Sequence, residues 1–302
     1  MMGDQWPALP YDSWKDTCAT VQMWTQIVGK VALELKPFLN EWWEVAFHPT
    51  ARGMTTGIIP YGNGSFDVTF DFLGSALYIA TNDGQVKSIP LVAQSVADFY
   101  KKFLSELEEL GINVRIDPHP TEVPHAIPFD QDTEHASYDK EYVRRWHEIQ
   151  LQTVKVLQRY RSPFVGKSSP IQFFWGSFDL NETRFSGRPA PKPKEGPHFY
   201  QVSEDQENVA AGFWPGNPTA AGVELGGAAY YSYIYPAPKG YKDAAVKPAA
   251  AHYDEKLGEF ILRYEDVHTA DDPAQTLLDF FQSSYEAAAK LAGWDLKVLQ
   301  RS

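Results

Sequence analysis

The stretch Phe66-Asp67-Val68-Thr69-Phe70-Asp71-Phe72 alternates apolar and polar side chains without a break. Successive side chains of a strand point to opposite faces. Phe66, Val68, Phe70 and Phe72 therefore share one face, and Asp67, Thr69 and Asp71 share the other. One buried and one wet face is the pattern of an antiparallel sheet covered on one side. The turn signal Tyr61-Gly62-Asn63-Gly64 lies just before it. After it, residues 77–80 and 85–91 flank Asn82-Asp83-Gly84, a hairpin signal.

Outward from this meander, the pattern turns helical. Val96, Phe99, Tyr100, Phe103, Leu104, Leu107 and Leu110 form one apolar stripe, and Gly111 ends it. Upstream, Asp12 can cap a helix that carries Trp14, Cys18, Val21 and Val28 to about Val28. Residues 30–36 read either as its extension or as a strand. Residues 42–48 and, more weakly, 50–59 read as strands.

The same order recurs downstream. Asp139 can cap a helix bearing Tyr142, Trp146, Ile149, Thr153 and Tyr160. Strands are expected at 171–180, 228–235 and 259–264, and Asp272-Pro273 opens a last helix. Four phrases match in order. Tyr11-Asp12 pairs with Tyr138-Asp139, and Val28-Gly29-Lys30 with Val165-Gly166-Lys167. Residues 42–47 pair with 173–178, and Asp98-Phe99-Tyr100 with Asp279-Phe280-Phe281. The expected fold is α+β: a tandem duplication of a helix–antiparallel β-meander–helix unit with pseudo-two-fold symmetry, its sheets covered by helices on one face. Residues 1–10 form an N-terminal arm, 11–117 the first repeat, 118–137 a proline-rich connector and 138–302 the second repeat, all in one compact domain. Residues 181–222 show no clear secondary structure and read as a long loop closing a groove between the repeats.

Composition narrows the function classes. Of 302 residues, 27 are basic and 39 acidic, a net charge of −12 without a basic stripe, so nucleic acid is not an expected partner. No apolar run is long enough to span a bilayer. The single cysteine, Cys18, lies on a helix's apolar face and suits a reducing compartment, so a cytoplasmic protein is expected. Aromatic residues make up 14% of the chain, enough for an aromatic core or an aromatic-lined pocket. There is no GxSxG elbow, no Walker A loop and no GxGxxG fingerprint, so no cofactor is expected. His119, His125 and His135 lie among connector acids, but their spacing matches no metal motif, and no metal is expected. Nothing in the sequence fixes an oligomeric state.

The matched register points to a candidate site. It places Glu44 and His48 on one strand face and Trp175, Ser177 and Asp179 on the equivalent face of the second copy. Arg52 follows the first strand and Arg184 the second, so the two could clamp an anion. Phe213 and Trp214 are costly to leave in water, so that part of the loop is expected to dock on the body.

Several phrases carry a family resemblance. They are Trp24-Thr25-Gln26-Ile27-Val28-Gly29-Lys30, Thr50-Ala51-Arg52-Gly53, Ser95-Val96-Ala97-Asp98-Phe99-Tyr100, Phe173-Phe174-Trp175-Gly176-Ser177-Phe178-Asp179-Leu180 and Ala211-Gly212-Phe213-Trp214-Pro215-Gly216. Over nearly its whole length the chain resembles a mostly bacterial family classed only as a domain of unknown function. The resemblance implies no activity. It implies that the His48 position is often not histidine in relatives, which favours Arg52, Trp175, Asp179, Arg184 and Trp214 as ligand-binding residues.

Three functions follow as expectations. The first is binding or turnover of a small anionic molecule, with Arg52 and Arg184 as clamp, Trp175 and Trp214 as stacking wall and Asp179 as acceptor. The second is a hydrolase using a His48/Asp179 acid–base pair. The third is an interaction module presenting Tyr231, Tyr233 and Tyr235 to a partner protein.

Overall fold

A computed structural model describes residues 5–193, 198–219 and 222–301. Among them the chain forms seven helices and two six-stranded antiparallel sheets. No helix of the described residues is long and apolar enough to cross a membrane.

The first half opens with α1 (Tyr11–Leu35). The helix runs through residues 30–36 rather than stopping near Val28, because Ile27, Val28, Val31 and Ala32 continue its buried face. Pro10 occupies the N-cap, so Asp12 sits in the first turn. Strands β1 (His48–Thr50), β2 (Gly53–Thr55), β3 (Ile59–Tyr61), β4 (Gly64–Asp71), β5 (Ala76–Thr81) and β6 (Val86–Pro90) follow, then α2 (Val96–Glu109). The path is β1-β2-β4-β5-β6, with β3 also on β4. The Phe66 stretch is β4, and Phe66, Val68 and Phe70 are buried as its alternation requires. Ser95 caps α2 by accepting a hydrogen bond from the Asp98 amide.

The second half runs α3 (Lys140–Arg161), β7 (Gln172–Phe174), β8 (Asp179–Pro189), α4 (His198–Ser203), β9 (Gln206–Trp214), β10 (Ala229–Tyr235), β11 (His252–Asp254), β12 (Glu259–Arg263), α5 (Tyr264–His268), α6 (Pro273–Leu291) and α7 (Leu296–Leu299). The strand order is β11-β12-β10-β9-β8-β7. One face, with Leu180, Phe213, Tyr230 and Leu262, is buried in a core that α3 and α6 also enter.

The sheets meet edge to edge. Phe47 and Phe173 exchange backbone hydrogen bonds of 2.9 and 2.8 Å. Trp146 of α3 packs beneath that junction, 5.0 Å from Phe178, 5.3 Å from Phe72 and 5.8 Å from Phe173 between ring centroids. Both halves therefore share one core.

Three expectations change here. Residues 42–48 are not a strand. The chain turns through 40–45, Trp42 holds φ +62°, and the Glu44 carboxylate accepts from the Leu39 amide at 2.9 Å. Residues 171–180 are not one strand but a hairpin, with Phe178 at φ +66° between β7 and β8. Residues 181–222 are not a structureless loop, since β8, α4 and β9 fill most of them. In β8 both faces carry polar side chains among buried ones, which erased the alternation. Within 181–222, residues 194–197 and 220–221 and the side chains of His198 and Phe199 lie outside the described residues.

Candidate functional site

The second sheet has an uncovered face, and the register of its strands sets what that face carries. Asp179, Asn181, Thr183 and Phe185 of β8 point to it in turn, while Leu180, Glu182 and Arg184 point to the helices. Pairing brings Asn181 level with Gly212 and Tyr231, Thr183 level with Ala210 and Tyr233, and Phe185 level with Asn208 and Tyr235. Ile261 and Glu259 of β12 extend the rows. This face is the floor of a cavity of about 1100 Å³.

Walls rise from both halves of the chain. Trp42, Trp43 and Val45 of the turn after α1 form one side, and Thr121 and Glu122 of the connector form the next. Tyr200 and Glu204 close the far end, and Trp175 stands between the halves. Gly29 explains how Trp175 fits. A Cβ there would collide with the indole, so only glycine lets that ring lie against α1. The Trp175 Nε1 then donates to the Val45 carbonyl at 2.9 Å.

Two glutamines of α1 build the connector wall. The Gln26 side chain donates to the Thr121 carbonyl at 2.8 Å and accepts from the Thr121 amide at 2.7 Å. Gln22 donates to the Gly176 carbonyl at 3.1 Å. Both glutamines are buried. The clamp holds Glu122 at φ +58°, an unusual backbone for a residue with a Cβ, with its carboxyl over Gly176.

At the floor, Asp179 accepts hydrogen bonds from Ser177 Oγ and Tyr231 Oη. Asn181 Nδ2 donates to Tyr231 Oη at 2.9 Å, and Thr183 Oγ1 donates to Asn181 Oδ1 at 2.8 Å. Gly212 makes this possible, because the Tyr231 phenol lies where a Cβ on residue 212 would be. Tyr231 and Tyr233 stack at 6.3 Å with 17° between ring planes.

The charges are of one sign. Burial pushes the Asp179 carboxyl up despite its two donors. Burial, then the charge of Asp179, pushes Glu122 up to about 7. Burial, then Asp179 and Asp254, pushes Glu259 up to about 8; it keeps some surface open to the cavity, yet protein surrounds it closely. Glu204 is pushed up to about 7 by burial, against hydrogen bonds from Asn208 and Tyr233. Glu41 is different, since Lys167 Nζ sits 2.6 Å from its Oε1. Among the described residues, the basic side chain on the lining is Lys256, which is exposed. Three buried lining groups have polar atoms that hydrogen-bond to nothing described: both amide atoms of Gln172, Oδ1 of Asn208 and Oε2 of Glu41.

The residues singled out from sequence divide. Trp175, Asp179 and Trp214 line the cavity. The two arginines do not meet there or anywhere else. Arg52 is an exposed side chain paired with Asp71 at 2.6 Å on the first sheet. Arg184 points to the other face of β8, with its guanidinium 3.3 Å from the Tyr160 ring centre and 4.4 Å from that of Tyr285. Alternation along β8 dictates this, because residues 179 and 184 differ by an odd number. His48 is also off the lining. Burial and the charge of Lys36 lower its pKa, and no carboxylate acts on it, so it makes no pair with Asp179. Tyr231, Tyr233 and Tyr235 do share a side, but it floors the cavity. Glu122, Glu204 and Glu259 were not singled out as site residues. The row of alternate tyrosines in β10 was the available signal for this face.

Among the described residues no group of His, Cys, Asp and Glu is arranged to hold a metal ion. In the connector, His119 Nδ1 meets Asp117 at 2.8 Å and His135 Nδ1 meets Asp132 at 2.8 Å, each a local loop contact. A family model described as a family of unknown function, DUF5996, matches residues 6–301. No curated protein and no solved structure matches the chain.

Proposed function

The chain belongs to the DUF5996 family, whose description assigns no activity, and we propose from the cavity's chemistry that it binds a small organic cation on the open face of the second sheet. The observation that carries this is the pairing of aromatic walls with carboxylates that lack a counter-charge. Asp179, Glu122, Glu204 and Glu259 face the space, and burial disfavours the charge on each. A cation supplies the missing partner, and each ring face it meets adds roughly 0.5–2 kcal/mol. The cation replaces the anion expected from sequence, because Arg52 and Arg184 both lie off the lining. Trp175 and Trp214 serve as walls and Asp179 as the fixed acceptor.

Tetramethylammonium and its uncharged analogue neopentyl alcohol make a direct comparison in a thermal-shift experiment. The cation is expected to stabilise the protein, and Asp179→Asn and Glu122→Gln are each expected to weaken that response at least about tenfold in concentration. Equal stabilisation by the uncharged analogue would overturn the reading.

The architecture belongs to the same proposal. Two repeats, 11–117 and 138–302, are joined by the connector and enclose the ligand between them. What supports duplication is element order, because each half starts with a long helix, runs through a six-stranded antiparallel sheet and ends in helix, one in the first half and three in the second. The phrase matches support it less: Val28-Gly29-Lys30 lies inside α1, whereas Val165-Gly166-Lys167 follows α3. A reducing, cytoplasmic setting fits the buried thiol of Cys18.

A further inference from the structure

The acidic groups of the cavity are not gathered at one point. Asp179 stands at the start of β8, with Glu122 above it across Gly176. Glu204 lies at the opposite end, bound by Asn208, which is level with Phe185. From residue 179 to residue 185 the strand advances roughly 20 Å at about 3.3 Å per residue. Glu259 is level with Tyr233 and Thr183, about 13 Å along the strand direction from Asp179 and three strands across the sheet. Charge-assisted hydrogen bonds of about 2.8 Å at the two ends take up roughly 6 Å of such spans.

The space between the acidic points is aromatic. Tyr231 and Tyr233 lie stacked along the floor between Asp179 and Glu204. A flat aromatic track suits methylene groups, and the carboxylates at its ends suit ammonium groups. The buried amide of Gln172 and the Oδ1 of Asn208, which find no partner in the described protein, belong to residues that line the same track. Gln172 is level with Asn181 at the Asp179 end. Both side chains are nine-tenths or more buried, and Gln172 Oε1 and Asn208 Oδ1 are acceptors of the kind an N–H pairs with.

We infer that the ligand is a linear diamine or polyamine, with one ammonium group held by Asp179 and Glu122, another by Glu204 or Glu259, and its aliphatic chain along Tyr231 and Tyr233. This rests on the cation reading above and adds a requirement of its own, two charges at a fixed spacing. A single cation uses one end of the track. A chain too short to span it does the same. A chain of matched length uses both ends, and the second contact is intramolecular, so affinity rises without a new class of interaction.

Calorimetric titration of the full chain with n-butylamine, 1,3-diaminopropane, 1,8-diaminooctane and spermidine tests the spacing. The two long amines are expected to bind at least about tenfold tighter than butylamine and diaminopropane. Glu122→Gln at one end, and Glu204→Gln combined with Glu259→Gln at the other, are each expected to bring 1,8-diaminooctane down to the butylamine level. If all four amines bind within about twofold of one another while tetramethylammonium still binds, the diamine assignment is wrong and the cation reading stands. If neither the amines nor tetramethylammonium bind, both fall. The wild-type series decides the matter even if one variant fails to fold.

Discussion

Glu204 shows what a single buried acid does to this protein. It is 3% exposed, and its carboxyl is held up at about 7 against an ordinary value of 4.5. The folded chain therefore binds more protons than the unfolded chain between about pH 4.5 and 7. Stability from this group is present below that window and is lost as pH rises through it, by on the order of 3 kcal/mol. Melting temperatures of the unliganded protein are accordingly expected to fall from about pH 5 to pH 8, and Glu204→Gln is expected to flatten that fall. A wild-type profile that rises over this range would contradict the charge pattern. Glu204, Glu122 and Glu259 were opaque in the sequence for a physical reason. A glutamate beside strand residues is ordinarily a solvated one, and nothing local records that a wall from a distant segment will cover it. Asp179 and Trp175 were legible because they sit in one dense aromatic phrase.

At the scale of elements, the sequence was clear where one face is wet and unclear where neither is. The β4 stretch and the α2 stripe read correctly because burial alternates cleanly along them. The β8 strand hid because Glu182 and Arg184 go beneath the sheet while Asn181 and Thr183 go above it. The Trp42 and Trp175 phrases misread as strands because turns with left-handed residues place their aromatics inward. Arg184 separates the consequences of the two faces of β8. It is 1% exposed beside buried Glu182, with 3.7 Å between Nε and Oε2. Arg184→Ala leaves that acid with Arg161, 4.0 Å away, as its remaining cation and is expected to destabilise the fold by about 3 kcal/mol. Below its unfolding temperature the same variant is expected to keep tetramethylammonium affinity within about twofold, because the side chain does not reach the cavity. Equilibrium denaturation and calorimetry measure the two effects separately. A large loss of affinity in a folded Arg184→Ala protein would put the site on the wrong face of the sheet.

For the whole molecule, the cavity exists because two halves are fastened around one junction. Phe47 and Phe173 join the sheets, Trp146 fills the core below, and Gln22 and Gln26 reach from α1 to set the connector and the β7–β8 turn. Enclosing four acids there without matching cations lowers the stability of the empty protein and stores an attraction for a positive ligand. The most direct test is calorimetric titration of tetramethylammonium, which does not itself titrate, at several pH values from about 6 to 8.5. Glu122 and Glu204 lose their protons near 7 and Glu259 near 8. Cation binding at the cavity therefore has to tighten as pH rises, by about tenfold or more across that range. Affinity that stays flat or weakens with rising pH would contradict a site built from these carboxylates.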